Sequence, residues 1–212
     1  SGLGISPARP CTEAQSTSGV GFSHSTPHPG AAACHRRPGV VIIGHFMSKK
    51  RVMQLVRGLH NLRPEHRGCV ATIGNFDGVH RGHQAILARL RERGQALGLP
   101  TCVVIFEPQP REYFAPDTAP ARLARLRDKI ELLAAEGIDR VLCLAFNQRL
   151  SKLSADEFVK AILVDGLGVR HLEVGDDFRF GCDRLGDFEF LQQAGLSQGF
   201  TVEAAQTVEL DS

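Results

Sequence analysis

The chain has 212 residues, of which 42% are hydrophobic and 23% charged, with a formal net charge of +2. These are ordinary proportions for a water-soluble folded protein with room for one sizeable domain or slightly more. So small a net charge gives no basis for bulk nucleic-acid binding, and the longest apolar runs fall far short of a membrane span. The six cysteines include no CxxC pair. That spacing argues against a zinc ribbon or a thioredoxin-type motif and favours a reducing cytoplasm over a disulfide framework.

Residues 1–52 are rich in Ser, Gly, Pro, His and Ala and lack any sustained period. Their basic residues are Arg9, Arg36, Arg37, Lys49, Lys50 and Arg51, against the single acid Glu13. The apolar cluster Gly39–Ile43 is too short to build a core alone, so a largely disordered extension is expected. No basic region followed by an apolar stretch marks a secretory leader. A basic, acid-poor stretch leaves an organelle transit peptide open; the favoured reading is an upstream extension outside the working protein, with Met53 as a candidate true start because ordered patterning begins just after it.

From Cys69 onward, strand and helix patterns alternate. Cys69–Ile73 is a short β-prone run ending in the breaker cluster Gly74-Asn75-Phe76-Asp77-Gly78. A helix is expected from about Gly82, with Ile86, Leu87, Leu90 and Leu97 on one face and Arg89, Arg91, Glu92 and Arg93 on the other; Gly98 and Pro100 close it. Cys102–Phe106 reads as a strand covered on both faces. Residues 121–136 have Leu123, Leu126, Ile130 and Leu133 at helical spacing, with Arg125, Arg127 and Lys129 read as a solvated face. Val141–Phe146 is the next buried strand, and within these two strands Cys102 and Cys143 read as core residues. Ser154 and Glu157 form a capping box that opens a helix to about Leu163. Leu172–Gly175 is a strand, Asp187–Ala194 a short helix and Phe200–Ala205 a last strand. This alternation argues for a parallel sheet with helices on both faces.

Chemistry concentrates where strands end. Gly74-Asn75-Phe76-Asp77-Gly78-Val79-His80-Arg81-Gly82-His83 joins the first strand of the series to the first helix. Strand carboxyl ends are where open α/β sheets bind ligands, and a helix N-terminus suits phosphate. Gly74 and Gly78 allow tight turning and close backbone approach. His80 and His83, three apart, can face the same side and donate to a polyphosphate. Neither a Walker A loop nor a GxGxxG fingerprint is present.

The decapeptide resembles the HxGH signature of the nucleotidyltransferase superfamily, and the full string GNFDGVHRGH resembles bacterial FAD synthetases, which are usually bifunctional riboflavin kinase/FMN adenylyltransferases. Two further segments carry the likeness. Phe106-Glu107-Pro108-Gln109-Pro110 is similar to the family's FxPHP element on the flavin side, with Gln109 where many members have His; Gln can hydrogen-bond but carries no charge. Val174-Gly175-Asp176-Asp177-Phe178-Arg179-Phe180-Gly181 resembles its VGxxFxFG loop, with Asp177 where many members have Asn. Leu150–Phe158 also resembles the family and reads as structural.

The resemblance implies an α/β, Rossmann-like nucleotidyltransferase domain over residues 53–212, acting in the cytoplasm on ATP and FMN with Mg2+ to give FAD and pyrophosphate. His80 and His83 would be the catalytic phosphate-binding pair. Gly74, Asn75, Phe76, Asp77 and Gly78 would shape the adenylate side, and Glu107, Pro108, Gln109 and Asp177 the flavin side, with Asp177 also near the metal. It further implies a following Ser-Thr-Arg segment that grips the ATP phosphates and then a riboflavin kinase barrel. Neither lies within residues 1–212, so an incomplete domain of low activity is expected. Three alternatives stay open: a non-catalytic nucleotide-binding fragment, another HxGH nucleotidyltransferase with a different phosphate acceptor, and a bare structural domain that binds neither ATP nor FMN.

Overall fold

The structure is a computed structural model that describes residues 40–42, 52–79 and 81–205, the first of these by backbone alone. Its strands in chain order are β1 (Val40–Ile42), β2 (Gln54–Arg57), β3 (Cys69–Ile73), β4 (Thr101–Glu107), β5 (Arg140–Ala145), β6 (Val169–Gly175) and β7 (Thr201–Ala205). They form one sheet in the order β1-β2-β5-β4-β3-β6-β7. β1 pairs antiparallel with β2, and each of the other neighbouring pairs is parallel. The helices are α1 (Arg81–Leu97), α2 (Pro110–Phe114), α3 (Leu126–Ala135), α4 (Gln148–Ser151), α5 (Ala155–Phe158) and α6 (Phe188–Gln198); α5 runs on as a wider π-helical coil over Val159–Leu167.

The β-strand period of two splits the central strands between two cores. Cys69, Ala71, Ile73, Cys102, Val104, Phe106, Leu142 and Leu144 face α5, its π-helical continuation and α6. Val70, Val103, Ile105, Val141 and Cys143 face the other way, onto Leu87 and Leu90 of α1 and Ile130 and Leu133 of α3. Strands buried on both faces explain the near-continuous apolar runs. Each fully buried Leu or Ile contributes about 1.5–3 kcal/mol relative to exposure. Cys69, Cys102 and Cys143 are buried free thiols, as core residues should be. Among the described residues no helix is long and apolar enough to cross a membrane.

The capping box before α5 forms as expected: the Glu157 N–H donates to Ser154 Oγ at 3.1 Å, and the Ser154 N–H to Glu157 Oε2 at 2.8 Å. Asp187 caps α6 by accepting the Phe190 N–H at 2.9 Å. The amphipathic segment expected over residues 121–136 needs correction. α3 begins only at Leu126, and Leu123 lies outside it with 79% of its surface exposed. The reason is a long-range contact: the N–H groups of Leu123 and Ala124 donate to Asp77, and Arg125 is extended as the N-cap. The extension expected over residues 1–52 contributes β1 to the sheet; residues 1–39 and 43–51 lie outside the described residues.

Candidate active site

Because β4, β3 and β6 are adjacent and parallel, their carboxyl ends lie along one rim of the sheet. The three motif segments leave the sheet there: Gly74–Gly78 after β3, Glu107–Phe114 at the end of β4, and Gly175–Gly181 after β6. From β3 the chain passes to β4 and β5 on one side, then returns to β6 on the other. Reversal of strand order beside β3 creates the crevice in which open α/β sheets bind ligands.

The loop after β3 is a strained turn. Phe76 has φ 46°, a left-handed value seldom adopted by a bulky residue. Its ring is only 1% exposed, packed in the core that includes Leu87 and Ile105. Burial of the ring offsets the backbone cost. Gly74 makes room for it, since a Cβ there would stand 3.0 Å from Phe76 Cε2. Gly78 has φ 62°, a conformation favouring glycine. Phe76 therefore faces the rim by its backbone, and Gly74 serves the ring of Phe76 as much as any ligand.

His83 is the third residue of α1. Its ring lies 4.7 Å from that of Phe76, centroid to centroid, and its Nδ1 is 3.3 Å from the Gly78 carbonyl oxygen. A carbonyl only accepts, so Nδ1 carries the proton in this contact. His80 lies outside the described residues.

Asp77 turns into the protein. Its carboxylate accepts the N–H groups of Leu123 at 3.1 Å and Ala124 at 3.0 Å. Burial works to raise its carboxyl, but those two donors, then Gln109 and the Lys129 charge, outweigh it and hold it below the ordinary carboxylate value. Gln109 is largely buried, and its N–H donates to Glu112 Oε2 at 2.8 Å at the start of α2. Glu107 and Glu112 share Arg122, whose Nη2 donates to Glu107 Oε1 at 2.6 Å and to Glu112 Oε2 at 2.7 Å. Pro108 is exposed and follows a cis peptide bond. Asp177 is exposed beyond β6.

Lys129 overturns the reading of a solvated helix face. Arg125 and Arg127 are exposed, but Lys129 is 1% exposed and its Nζ donates to the Asn75 carbonyl at 2.5 Å. Burial holds its ammonium below the ordinary lysine value; Asp77 and Glu107 act in the opposite sense. The signal was in the sequence, because Leu126, Lys129, Ile130 and Leu133 share one helical stripe. Arg122 was missed without comparable warning, since its partners lie on other segments.

Among the described residues there is no group of three or more His, Cys, Asp or Glu side chains placed to hold a metal ion. The rim instead offers the exposed Asp177 carboxylate, a hard oxygen donor.

A parallel sheet covered on both faces, with its motif loops gathered at the switch point, defines an α/β Rossmann-like nucleotidyltransferase domain. The sequence pattern of the family described as FAD synthetase matches residues 62–212, and the chain belongs to that family. A relative from Pseudomonas fluorescens, named bifunctional riboflavin kinase/FMN adenylyltransferase, is 80% identical over 159 residues, covering 75% of this chain and 51% of the relative. A relative of the same name from Escherichia coli strain K12 is 54% identical over 156 residues, 73% of this chain and 50% of the relative. The chain thus spans about half the length of these curated relatives. A crystal structure described as a macrolide-efflux protein from Streptococcus pneumoniae superposes with a TM-score of 0.62 at 22% identity, covering 74% of this chain and 51% of that one. At that identity the likeness speaks for the fold alone.

Proposed function

We propose that this domain is an FMN adenylyltransferase, moving AMP from ATP to FMN to give FAD and pyrophosphate. The observation that carries the reading is the convergence of the loops after β3, β4 and β6 on one rim, within a chain of the FAD synthetase family. An FMN phosphate oxygen attacks the α-phosphorus of ATP. The new O–P bond forms as the bond to the β-phosphate oxygen breaks, and pyrophosphate departs with the electron pair. FMN brings its own nucleophile, so the protein's work is alignment and charge stabilisation.

His83, with its ring oriented by Phe76 and Gly78, presents Nε2 as a donor to the triphosphate when protonated, with His80 as its partner. The backbone of Gly74 through Gly78 shapes the adenylate side. The loop from Glu107, held by Arg122, and Asp177 border the flavin side. Magnesium is usually bound by one or two carboxylates plus substrate phosphates, and Asp177 would be a carboxylate that holds it here. Bound there, it would neutralise phosphate charge. The domain is read as working in the cytoplasm on small molecules, as one half of a longer enzyme.

The test is FAD formation from ATP and FMN in the complete polypeptide, with calorimetric binding of each substrate. His83→Ala is expected to lower kcat by about 10²–10³-fold. Turnover within a few-fold of wild type would reject the assignment of His83, and a wild type that binds neither substrate would reject the function.

A further inference from the structure

We propose that Lys129 is a positioning residue for the adenylyl transfer, holding the backbone of Asn75 through Gly78 in the geometry that receives the triphosphate. The inference deepens the function proposed above and rests on it. A lysine is seldom buried unless its ammonium is partnered. Lys129 is 1% exposed in α3, and Nζ is spent on one backbone oxygen, that of Asn75, at 2.5 Å. Two residues further on, the Asp77 carboxylate accepts the N–H groups of Leu123 and Ala124 at the entry to α3.

These two attachments bracket Phe76, the residue with φ 46°. The strained turn is therefore clamped from both sides by the same neighbouring segment. Gly78, the residue after Asp77, presents its carbonyl to His83 Nδ1 at 3.3 Å. A connected path thus leads from the Lys129 ammonium through Asn75 and the turn to the imidazole at the start of α1. Among the described residues, the charges acting on the ammonium are those of Asp77, Glu107 and Glu112, with Arg122 as a like charge. Asp77, Glu107 and Glu112 oppose the effect of burial on the ammonium, and its hydrogen bond to the Asn75 carbonyl directs it at the loop. Lys129 itself reaches no substrate; it acts through the loop, where a misplacement of about 1 Å costs on the order of a hundredfold in rate.

The experiment compares wild type, Lys129→Met and Lys129→Arg in the complete polypeptide by steady-state kinetics in ATP and FMN, calorimetric ATP binding, thermal unfolding and amide hydrogen exchange. K129M is expected to unfold cooperatively and to keep the KM for FMN within about threefold, while kcat falls about a hundredfold. K129R should recover about tenfold of that loss, because a charged donor is restored. Amides of residues 75–78 should exchange faster in both variants, with β4 and β5 unchanged. If K129M fails to fold, K129R and the exchange at residues 75–78 decide. Wild-type exchange there, or a K129M kcat within about threefold of wild type, overturns this inference alone. A wild type that neither binds ATP nor forms FAD overturns the proposed function, and this inference with it.

Discussion

The carboxylate of Asp77 accepts the backbone N–H of Ala124 at 3.0 Å across 47 residues of sequence. With the neighbouring N–H of Leu123 it ties the loop after β3 to the segment entering α3. Hydrogen bonds to a charged group contribute about 1.5–3 kcal/mol, less with partial solvent access, so Asp77→Ala is expected to destabilise the domain by about 1–3 kcal/mol in urea unfolding at pH 7. The pH dependence follows from the lowered carboxyl. A group that ionises more readily folded than unfolded stabilises above its unfolded value and loses that contribution as pH falls through the folded one. D77N should therefore differ most from wild type at neutral pH and converge with it in acid, below the ordinary value of 3.8. A constant gap down to the lowest pH at which both fold would contradict this.

His171 and Glu173 are expected to pull stability in opposite directions. Burial, then the Arg93 charge, lowers His171 to about 4, and burial raises Glu173 to about 7 against the pull of Arg89 and Arg93. His171 stabilises above its unfolded value of 6.5 and loses this as pH falls toward 4. Glu173 stabilises fully below its unfolded value of 4.5 and loses this as pH rises through 7. Between pH 4.5 and 6.5 the two slopes nearly cancel. Glu173→Gln should gain stability relative to wild type as pH rises, by an amount on the order of 1–3 kcal/mol at pH 8. His171→Asn should show stability falling over the same range. Parallel pH profiles for the two variants would refute the opposition.

Arg122 joins Glu107 at the end of β4 to Glu112 in α2. Its side chain is 34% exposed, so Arg122→Met should cost no more than about 1 kcal/mol of stability. Its larger effect should be electrostatic. The Arg122 hydrogen bond is the leading reason that the Glu112 carboxyl lies low. In R122M the Glu112 carboxyl, followed by NMR titration, is expected to move up, and FMN affinity to fall as the loop loosens. An unmoved Glu112 would show that the bridge does not form in solution.

Gly195 in α6 is a case where helix propensity and packing disagree. Alanine is the better helix former by about 1 kcal/mol. Yet a Cβ at this position would lie 2.5 Å from the carbonyl oxygen of Phe200, at the approach to β7. Backbone has to shift to relieve that contact, at a cost of about 1–3 kcal/mol. Gly195→Ala is expected to lower the thermal midpoint; a raised midpoint would mean that α6 and β7 separate freely.

The strands and the first helix were legible because their apolar periods are strong and their caps are local. Ser154 with Glu157, and the run from Cys102 to Phe106, needed nothing beyond their own neighbours. The helix expected over residues 121–136 began five residues late because a distant carboxylate, Asp77, competes for the N–H groups that would have started it. β2 and β1 escaped notice because strands of four and three residues carry too little period to register. In the site, His83 and the three motif loops were visible as strings, whereas Lys129 was misjudged because charge outweighed the helical stripe on which it lies.

By itself the order of residues determined the strand-helix alternation, the motif loops and the family, since each is written in contiguous stretches with their own periodicity and turn chemistry. Only the tertiary structure decided that β6 returns beside β3 so that the loops meet, that Phe76 is driven into the core, and that Lys129 and Asp77 face inward. Those outcomes depend on pairings between residues tens of positions apart. They are set by which buried polar groups find partners once the sheet has closed over them.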